Sequence, residues 1–203
     1  MTGRLIWILL AGGTLTACGG DGGGGILTGG NDSGTRTIAS CDSILGATVA
    51  STPCPGCTID GASKVADDDG YSYAAVDVPQ AAPEAGAMLR ATAPDGVVFP
   101  AGEWAGVFLT SPSGGGVVDT NGSNSVQLRT YLDGVLQETD AVNNRIQYLP
   151  RGDSSDLPHM FVSFHTSREF DAVEAVIGNG DATVGGPTLW KVHELCSNGW
   201  VED

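Results

Sequence analysis

Basic residues, and lysine above all, are scarce in this chain. Nine Lys and Arg stand against 24 Asp and Glu, the formal net charge is −15, and the lysines are Lys64 and Lys191 alone. Binding to nucleic acid or to anionic head groups relies on clustered cations. The composition therefore argues against nucleic acid as a partner, and it offers no basic patch for anionic lipid.

Long amphipathic helical patterns are also missing. Short apolar stretches are separated instead by Gly, Pro, Asn and Asp. This pattern predicts an all-β fold, an antiparallel β-sandwich or jelly roll. The predicted strands cover residues 47–51, 72–78, 87–93, 106–111, 125–132, 135–142, 145–149, 160–167 and 188–195.

Two stretches of this pattern carry local signals, one for a hairpin turn and one for both a helix and a strand. In "RTYLDGVLQET", Asp133 and Gly134 supply the two positive-φ positions of a type I′ hairpin turn. In "TSREFDAVEAVIG", the capping-box spacing from Thr166 to Glu169 and the apolar spacing favour a helix, whereas Val173, Ala175 and Ile177 alternate as in a strand. We predict a strand there, because of the resemblance described below.

The N-terminus has the pattern of an export signal. Arg4 precedes the apolar run "LIWILLAGGTLTA", which is too short to span a membrane as a mature helix. The following "LTAC" resembles the bacterial lipobox, which implies cleavage before Cys18 and acylation of that cysteine. The alternative is an ordinary signal peptide with a chance cysteine. We predict a lipoprotein signal peptide over residues 1–17 and a membrane anchor at Cys18.

Glycine dominates the segment after Cys18. The stretch "GGDGGGGILTGGNDSG" offers too little apolar surface to offset the entropy of ordering it. Residues 18–34 are therefore predicted to be a flexible tether, with a reach of roughly 20 Å for a random coil, and residues 35–203 a single domain. Gly19 rather than aspartate follows the cysteine, which in Gram-negative lipoproteins implies the outer membrane.

The other four cysteines form an even set in an oxidising compartment, so we predict two disulfides. Cys54 with Cys57 would close a tight turn, and Cys41 with Cys196 would tie the start of the domain to its end. Chain entropy makes the short link worth about 2 kcal/mol and the long one roughly 5 kcal/mol. Redox chemistry is disfavoured because the turn-rich stretch after Cys57 does not predict the helix that a redox cysteine needs, and zinc is disfavoured because only one close cysteine pair exists.

The stretches "KVADDDGYSYAAV", "FDAVEAVIG" and "LWKVHELC" resemble the discoidin or galactose-binding-like β-sandwiches, whose early loop runs A-x-D-G-D-x-x-T-x-W. They are also similar to bacterial surface modules with a C-x-x-C before such a loop and a tyrosine for the tryptophan. The resemblance covers most of residues 38 to 198. Asp67 and Asp69 match the acidic positions, Ser72 the threonine and Tyr73 the aromatic residue, while Asp68 stands where glycine is usual.

The resemblance implies a structural calcium ion. In carbohydrate-binding members this loop and a glutamate on the last strand hold the metal, so the implied ligands are Asp67, Asp69, Ser72 and Glu194. Calcium takes six to eight oxygens, from carboxylates and carbonyls, and an Asp-rich turn offers both. The alternative is that three solvated aspartates simply keep a turn soluble.

Three functions stay open at this stage. The favoured one is a non-catalytic surface lipoprotein whose sandwich binds an extracellular ligand, such as a glycan, or serves adhesion and envelope architecture. The second is an exported hydrolase that uses loop carboxylates such as Glu103, Asp119 or Asp153. The third is a structural partner of another envelope or secreted protein.

Overall fold

The computed structural model describes residues 38–78, 86–110, 126–139, 145–148, 160–178 and 188–202. These residues form twelve β-strands and one short 3₁₀ helix, Ala62–Ala66, with no α-helix among them. The strands are β1 Ile38–Ser43, β2 Thr48–Thr52, β3 Thr58–Asp60, β4 Ala74–Val78, β5 Ala87–Thr92, β6 Trp104–Thr110, β7 Val126–Leu132, β8 Val135–Thr139, β9 Arg145–Tyr148, β10 Met160–His165, β11 Ala172–Ile177 and β12 Thr188–Glu202.

The strands form two antiparallel sheets. The first has the order β3-β4-β12-β6-β10-β9, with β1 also paired to β12, and the second has the order β2-β5-β11-β7-β8. Alternate side chains from both sheets enter one shared apolar core, as the period of two along a strand requires. The predicted all-β sandwich is confirmed. The galactose-binding-like subtype stays a prediction.

Most of the predicted strands match observed ones to within a few residues. The uncertain stretch 166–178 contains β11, which pairs on one side with β5 and on the other with β7. The predicted hairpin turn is also confirmed, since Asp133 has φ 51° and Gly134 φ 75°. Strands β1 and β3 lie outside the predicted set, and β12 continues well past the predicted end at residue 195.

Strand β12 changes its neighbour partway along its length, and this change creates the site described below. On one side it pairs with β4 as far as Val192, and from Cys196 onward it pairs with β1. On the other side it pairs with β6, with an irregularity between Val192 and Glu194. Glu194 therefore lies opposite the gap between β4 and β1.

The predicted signal peptide, Cys18 and the tether lie outside the described residues. Within the part of the chain that the structure describes, no helix has both the length and the apolar content to span a bilayer. The lipid anchor stays a prediction.

Candidate functional site

The acidic loop between the 3₁₀ helix and β4 is held in shape by its own polar groups. Asp67 accepts hydrogen bonds from the Asp69 backbone N–H at 3.1 Å and from the Ser72 hydroxyl at 2.8 Å. Asp69 in turn accepts from the Tyr71 N–H at 3.0 Å. Three of the four residues expected to bind calcium thus lie in one ordered turn.

Asp68 occupies the position where the resembling loops have glycine. Its backbone conformation is one that favours glycine. Its φ is 59°, in the left-handed region that glycine enters without steric cost. Aspartate and asparagine tolerate this region better than other residues with a Cβ. Asp68 therefore adopts a left-handed conformation that a glycine would adopt at lower cost.

Glu194 lies on β12 beside the gap between β4 and β1, with only 5% of its surface exposed. The Ser43 hydroxyl, at the end of β1, donates to Glu194 Oε1 at 2.6 Å. The second carboxylate oxygen, Oε2, is buried and accepts no hydrogen bond. A buried carboxylate oxygen without a donor is costly.

The electrostatics of Glu194 tie it to the acidic loop. Its pKa is raised from 4.5 to about 7, chiefly because burial penalises the charged form. The Ser43 hydroxyl lowers the pKa, the negative charges of Asp67 and Asp68 raise it, and the Asp68 backbone N–H lowers it. The negative charges of Asp67 and Asp68 thus act on Glu194, as the resemblance implied for Asp67.

The sequence missed two members of this cluster. Ser43 lies in a strand that was not predicted, and Asp68 was considered only as a misfit in the motif. Among the described residues, no group of three or more His, Cys, Asp and Glu side chains is arranged to hold a metal ion. The partnerless Oε2 of Glu194 beside two aspartates nevertheless has the chemistry that a hard cation prefers. The calcium site stays a prediction.

Both lysines of the chain lie beside the aromatic residue of this loop. Lys191 Nζ is 4.6 Å and Lys64 Nζ 5.8 Å from the centroid of the Tyr73 ring, within the range of cation–π attraction. Tyr73 also contacts His193, a fully buried residue whose ring meets it edge-on with the ring centroids 5.6 Å apart. Tyr73 thus anchors the end of the acidic loop to β12.

The structure confirms one of the two predicted disulfides and leaves the partner of Cys196 a prediction. Cys54 and Cys57 form a disulfide, and the turn between them is closed by a hydrogen bond from the Cys57 N–H to the Cys54 carbonyl at 2.8 Å. Cys196 is also disulfide-bonded, and β1, which carries Cys41, lies alongside it with Ser43 opposite Cys196. The specific pairing of Cys41 with Cys196 stays a prediction.

A second polar cluster, unforeseen from the sequence, lies on the outer face of the second sheet. Glu174 on β11 is 2% exposed and accepts from Arg90 Nη2 at 2.7 Å, from Arg129 Nη1 at 3.4 Å and from the Tyr131 hydroxyl at 2.8 Å. Arg90 also stacks on the Tyr131 ring at 3.6 Å. Burial is the main cause that raises the pKa of Tyr131, and the hydrogen bond to Glu174 adds to it.

Of the three carboxylates considered for hydrolysis, Glu103 lies among the described residues, and the hydrolase alternative stays a prediction. Asp119 and Asp153 lie outside the described residues. Glu103 uses its backbone carbonyl to accept from the Thr166 N–H and hydroxyl. No protein-family model, no characterised protein and no solved structure matches this chain.

Proposed function

We propose that this protein is a lipid-anchored, non-catalytic surface lipoprotein of the bacterial cell envelope, in the outer membrane, whose β-sandwich binds an extracellular ligand. A glycan is the favoured ligand class, and a second envelope or secreted protein is the alternative. The observation that carries the proposal is the order of parts, since "LTAC" at Cys18 is followed by a glycine-rich tether and then by a disulfide-bonded sandwich.

A structural calcium ion belongs to the same proposal. The ligands would be Asp67, Asp69, Ser72 and Glu194. The ion would supply the positive charge that neutralises the Glu194 carboxylate. Support comes from the buried, partnerless Oε2 and from the two aspartates whose charge disfavours ionisation of Glu194. The ion would lock the loop to β12 rather than take part in a reaction.

The roles of the described buried glutamates favour binding over catalysis. Glu194 lies behind the acidic loop, and Glu174 is neutralised by two arginines and a tyrosine. A glycosidase instead needs two carboxyl groups about 5 to 10 Å apart on either side of a substrate bond. These two glutamates lie on different sheets, and each interacts with the residues next to it. Such structural roles are expected for a rigid binding scaffold.

The anchor is tested by replacing the acylated residue. Cys18→Ser should abolish incorporation of labelled fatty acid and move the protein from the membrane to the soluble fraction. Thr14→Ser, a conservative change inside the signal that leaves Cys18 in place, is the matched control and should behave as wild type. Unchanged acylation and membrane association of Cys18→Ser would contradict the proposal.

The ligand class is tested on residues 35–203 expressed without the signal and tether. A glycan array with millimolar calcium, run beside a screen of chromogenic glycoside and ester substrates, separates binding from hydrolysis. We expect retention of glycan without product release. Release of product would instead favour the exported hydrolase, and an array without any retained glycan would favour a protein partner.

A further inference from the structure

One end of the sandwich can be located from the strand register. In the second sheet, Thr48, Thr92, Ala172 and Tyr131 lie side by side at the margin. Beyond this row lie the turn 44–47, the segment 93–100, and the hairpin turn with the start of β8, residues 133–136. We call this margin, together with those turns, the tether end.

The first sheet finishes at the same end. Residues 99–103 and 166–170 run antiparallel as they cross between the sheets, joined by the bridge of Phe99 with Phe170 and by the hydrogen bond from the Gly102 N–H to the Thr166 carbonyl. Strand β1 extends further in this direction, because Ile38 pairs with Glu202 well past the last residues of β12 that pair with β6. The N-terminal end of the described domain therefore emerges at the tether end.

Exposed apolar side chains concentrate at this end. Seven large apolar side chains are strongly exposed among the described residues, and the five at the tether end are between 42% and 62% exposed. These five are Leu45, Val97, Val98, Val135 and Leu136. The turn of Leu45 and the segment of Val97 are neighbours, since a Cβ on Gly46 would lie 3.3 Å from Pro94 Cγ. Leu45, Val97 and Val98 lie by β2 and β5 at one edge of the second sheet, and Val135 and Leu136 lie on β8 at the other edge. Exposed apolar side chains concentrated at one end of a domain are typical of a surface that contacts a protein or a membrane.

We propose that the tether end rests on the lipid surface to which the chain is anchored, with these apolar turns among the head groups. The inference depends on the proposed acylation of Cys18. A tether with a reach of roughly 20 Å keeps the domain near the bilayer. The local concentration is then on the order of millimolar, so that even a weak apolar contact is populated.

The charges at this end determine which lipid it contacts. Asp95, Asp133 and Glu169 are all exposed there, against Arg168 as the exposed cation of segment 166–171. Anionic head groups would therefore repel the tether end, unlike the basic surfaces that adsorb to acidic lipid. The proposed contact is shallow, apolar and made with zwitterionic lipid, and it points the opposite end, with Leu189, away from the membrane.

The test uses the full acylated chain reconstituted in phosphatidylcholine vesicles, with and without brominated acyl chains that quench nearby tryptophan. Val98→Trp and Val135→Trp place a reporter at the tether end. Leu189→Trp, at a similarly exposed apolar position on the opposite end, is the matched control. After subtraction of the wild-type emission, we expect the first two reporters to lose intensity in brominated vesicles and the control to keep it.

Each other outcome has a definite meaning. Flotation with the vesicles but no quenching of either tether-end reporter would overturn the inference while leaving the anchor intact. A blue shift without quenching would show that a protein surface covers this end, which also overturns it. Failure of the acylated chain to float would remove the anchor and the inference together. Adding phosphatidylglycerol should weaken the quenching, and stronger quenching would overturn the assignment to zwitterionic lipid.

Discussion

Two buried glutamates, one in each sheet, differ in the charge of the residues around them. Glu174, in the centre of the second sheet, has Arg90 and Arg129 on the flanking strands directly across from it. Glu194, in the first sheet, has the Ser43 hydroxyl and the Asp68 backbone N–H as donors, no cationic group among the causes that shift its pKa, and the negative charges of Asp67 and Asp68 nearby. Both side chains are almost fully buried, so the difference is in charge and not in exposure.

We call the Glu174 cluster complete, because protein groups neutralise its charge, and the Glu194 cluster incomplete, because protein groups leave one buried carboxylate oxygen without a donor. The Glu174 carboxylate receives donors at both oxygens from groups that the fold itself supplies. The Glu194 carboxylate has a buried oxygen without a donor, and its pKa is raised to about 7. A bound cation would satisfy the second arrangement, and the first needs none because two arginines and a tyrosine already serve Glu174.

The largest expected effect comes from breaking the complete cluster. Glu174→Gln keeps the shape but removes the charge that neutralises two arginines, whose side chains are 30% exposed. Loss of one partner of a buried ion pair costs about 3 to 5 kcal/mol, and the partial exposure of the arginines favours the lower figure. Urea denaturation of the domain measures the loss in the free energy of unfolding.

The control for this prediction is Glu169→Gln, an exposed glutamate in the segment before β11. It should change the free energy of unfolding by less than about 0.5 kcal/mol. If Glu174→Gln were equally mild, the arginine cluster would be a surface feature rather than a structural one.

The pH dependence of stability should reveal the incomplete cluster. Without calcium, the folded state holds a proton on Glu194 up to about pH 7, whereas the unfolded chain releases it near pH 4.5. The folded state thus binds more protons in this window, so the contribution of Glu194 to stability is present below pH 4.5 and is lost as pH rises through 7. The loss is about 3 kcal/mol if the full shift is realised.

Glu194→Gln provides the matched comparison, because its amide cannot ionise. The variant and the wild type should have similar stability near pH 4.5, and in EDTA the variant should be the more stable at pH 8. A stability difference that does not change between these pH values would contradict the burial of a titrating carboxylate.

Calcium should reverse the disadvantage of Glu194. Binding to the folded state stabilises it by RT ln(1 + [Ca]/Kd), about 2.7 kcal/mol at a hundredfold excess over Kd. The melting temperature should rise by several degrees between EDTA and millimolar calcium. Asp67→Ala and Glu194→Gln should abolish the rise, whereas Asp95→Asn, an exposed acid at the tether end, should keep it. Equal melting of the wild type in both buffers would remove calcium from the proposal.

The two clusters also differ in how far they could be predicted. That Asp67 acts on Glu194 agrees with what the family resemblance implied, and that resemblance depended on two short strings, the acidic loop and the end of the last strand. Glu174 gave no such signal, because in "FDAVEAVIG" it alternates outward and an outward glutamate is normally solvated. Its burial depends on Arg90 and Arg129, which only the register of three strands brings together.

The same limit applies to the strands. Alternation and the Asp133-Gly134 turn are local features, and they predicted most of the fold. Strand β1, "IASCDS", has no clear alternation and is held by its pairing with β12. The pairing also carries β12 through "SNG", which by itself predicts a turn. Ser43, at the end of β1, was missed as a partner of Glu194 for this reason.

The smallest expected effect separates charge from backbone strain. Asp68 and Asp133 are the non-glycine residues with positive φ in the described part of the chain, at 59° and 51°. Glycine at either position relieves similar strain and adds similar freedom to the unfolded chain. Asp133→Gly therefore reports the backbone effect alone, since its N–H can still donate to Asp171.

Asp68→Gly should add an electrostatic gain, because it also removes one negative charge that faces Glu194. In EDTA at pH 8 we expect it to be more stable than Asp133→Gly by a few tenths to about 1 kcal/mol, in keeping with a charge near the surface. The excess should disappear near pH 4.5, where Glu194 is protonated. If the two glycine variants unfold with the same free energy at both pH values, Asp68 contributes only its backbone conformation, and Glu194 would owe its raised pKa to burial and Asp67.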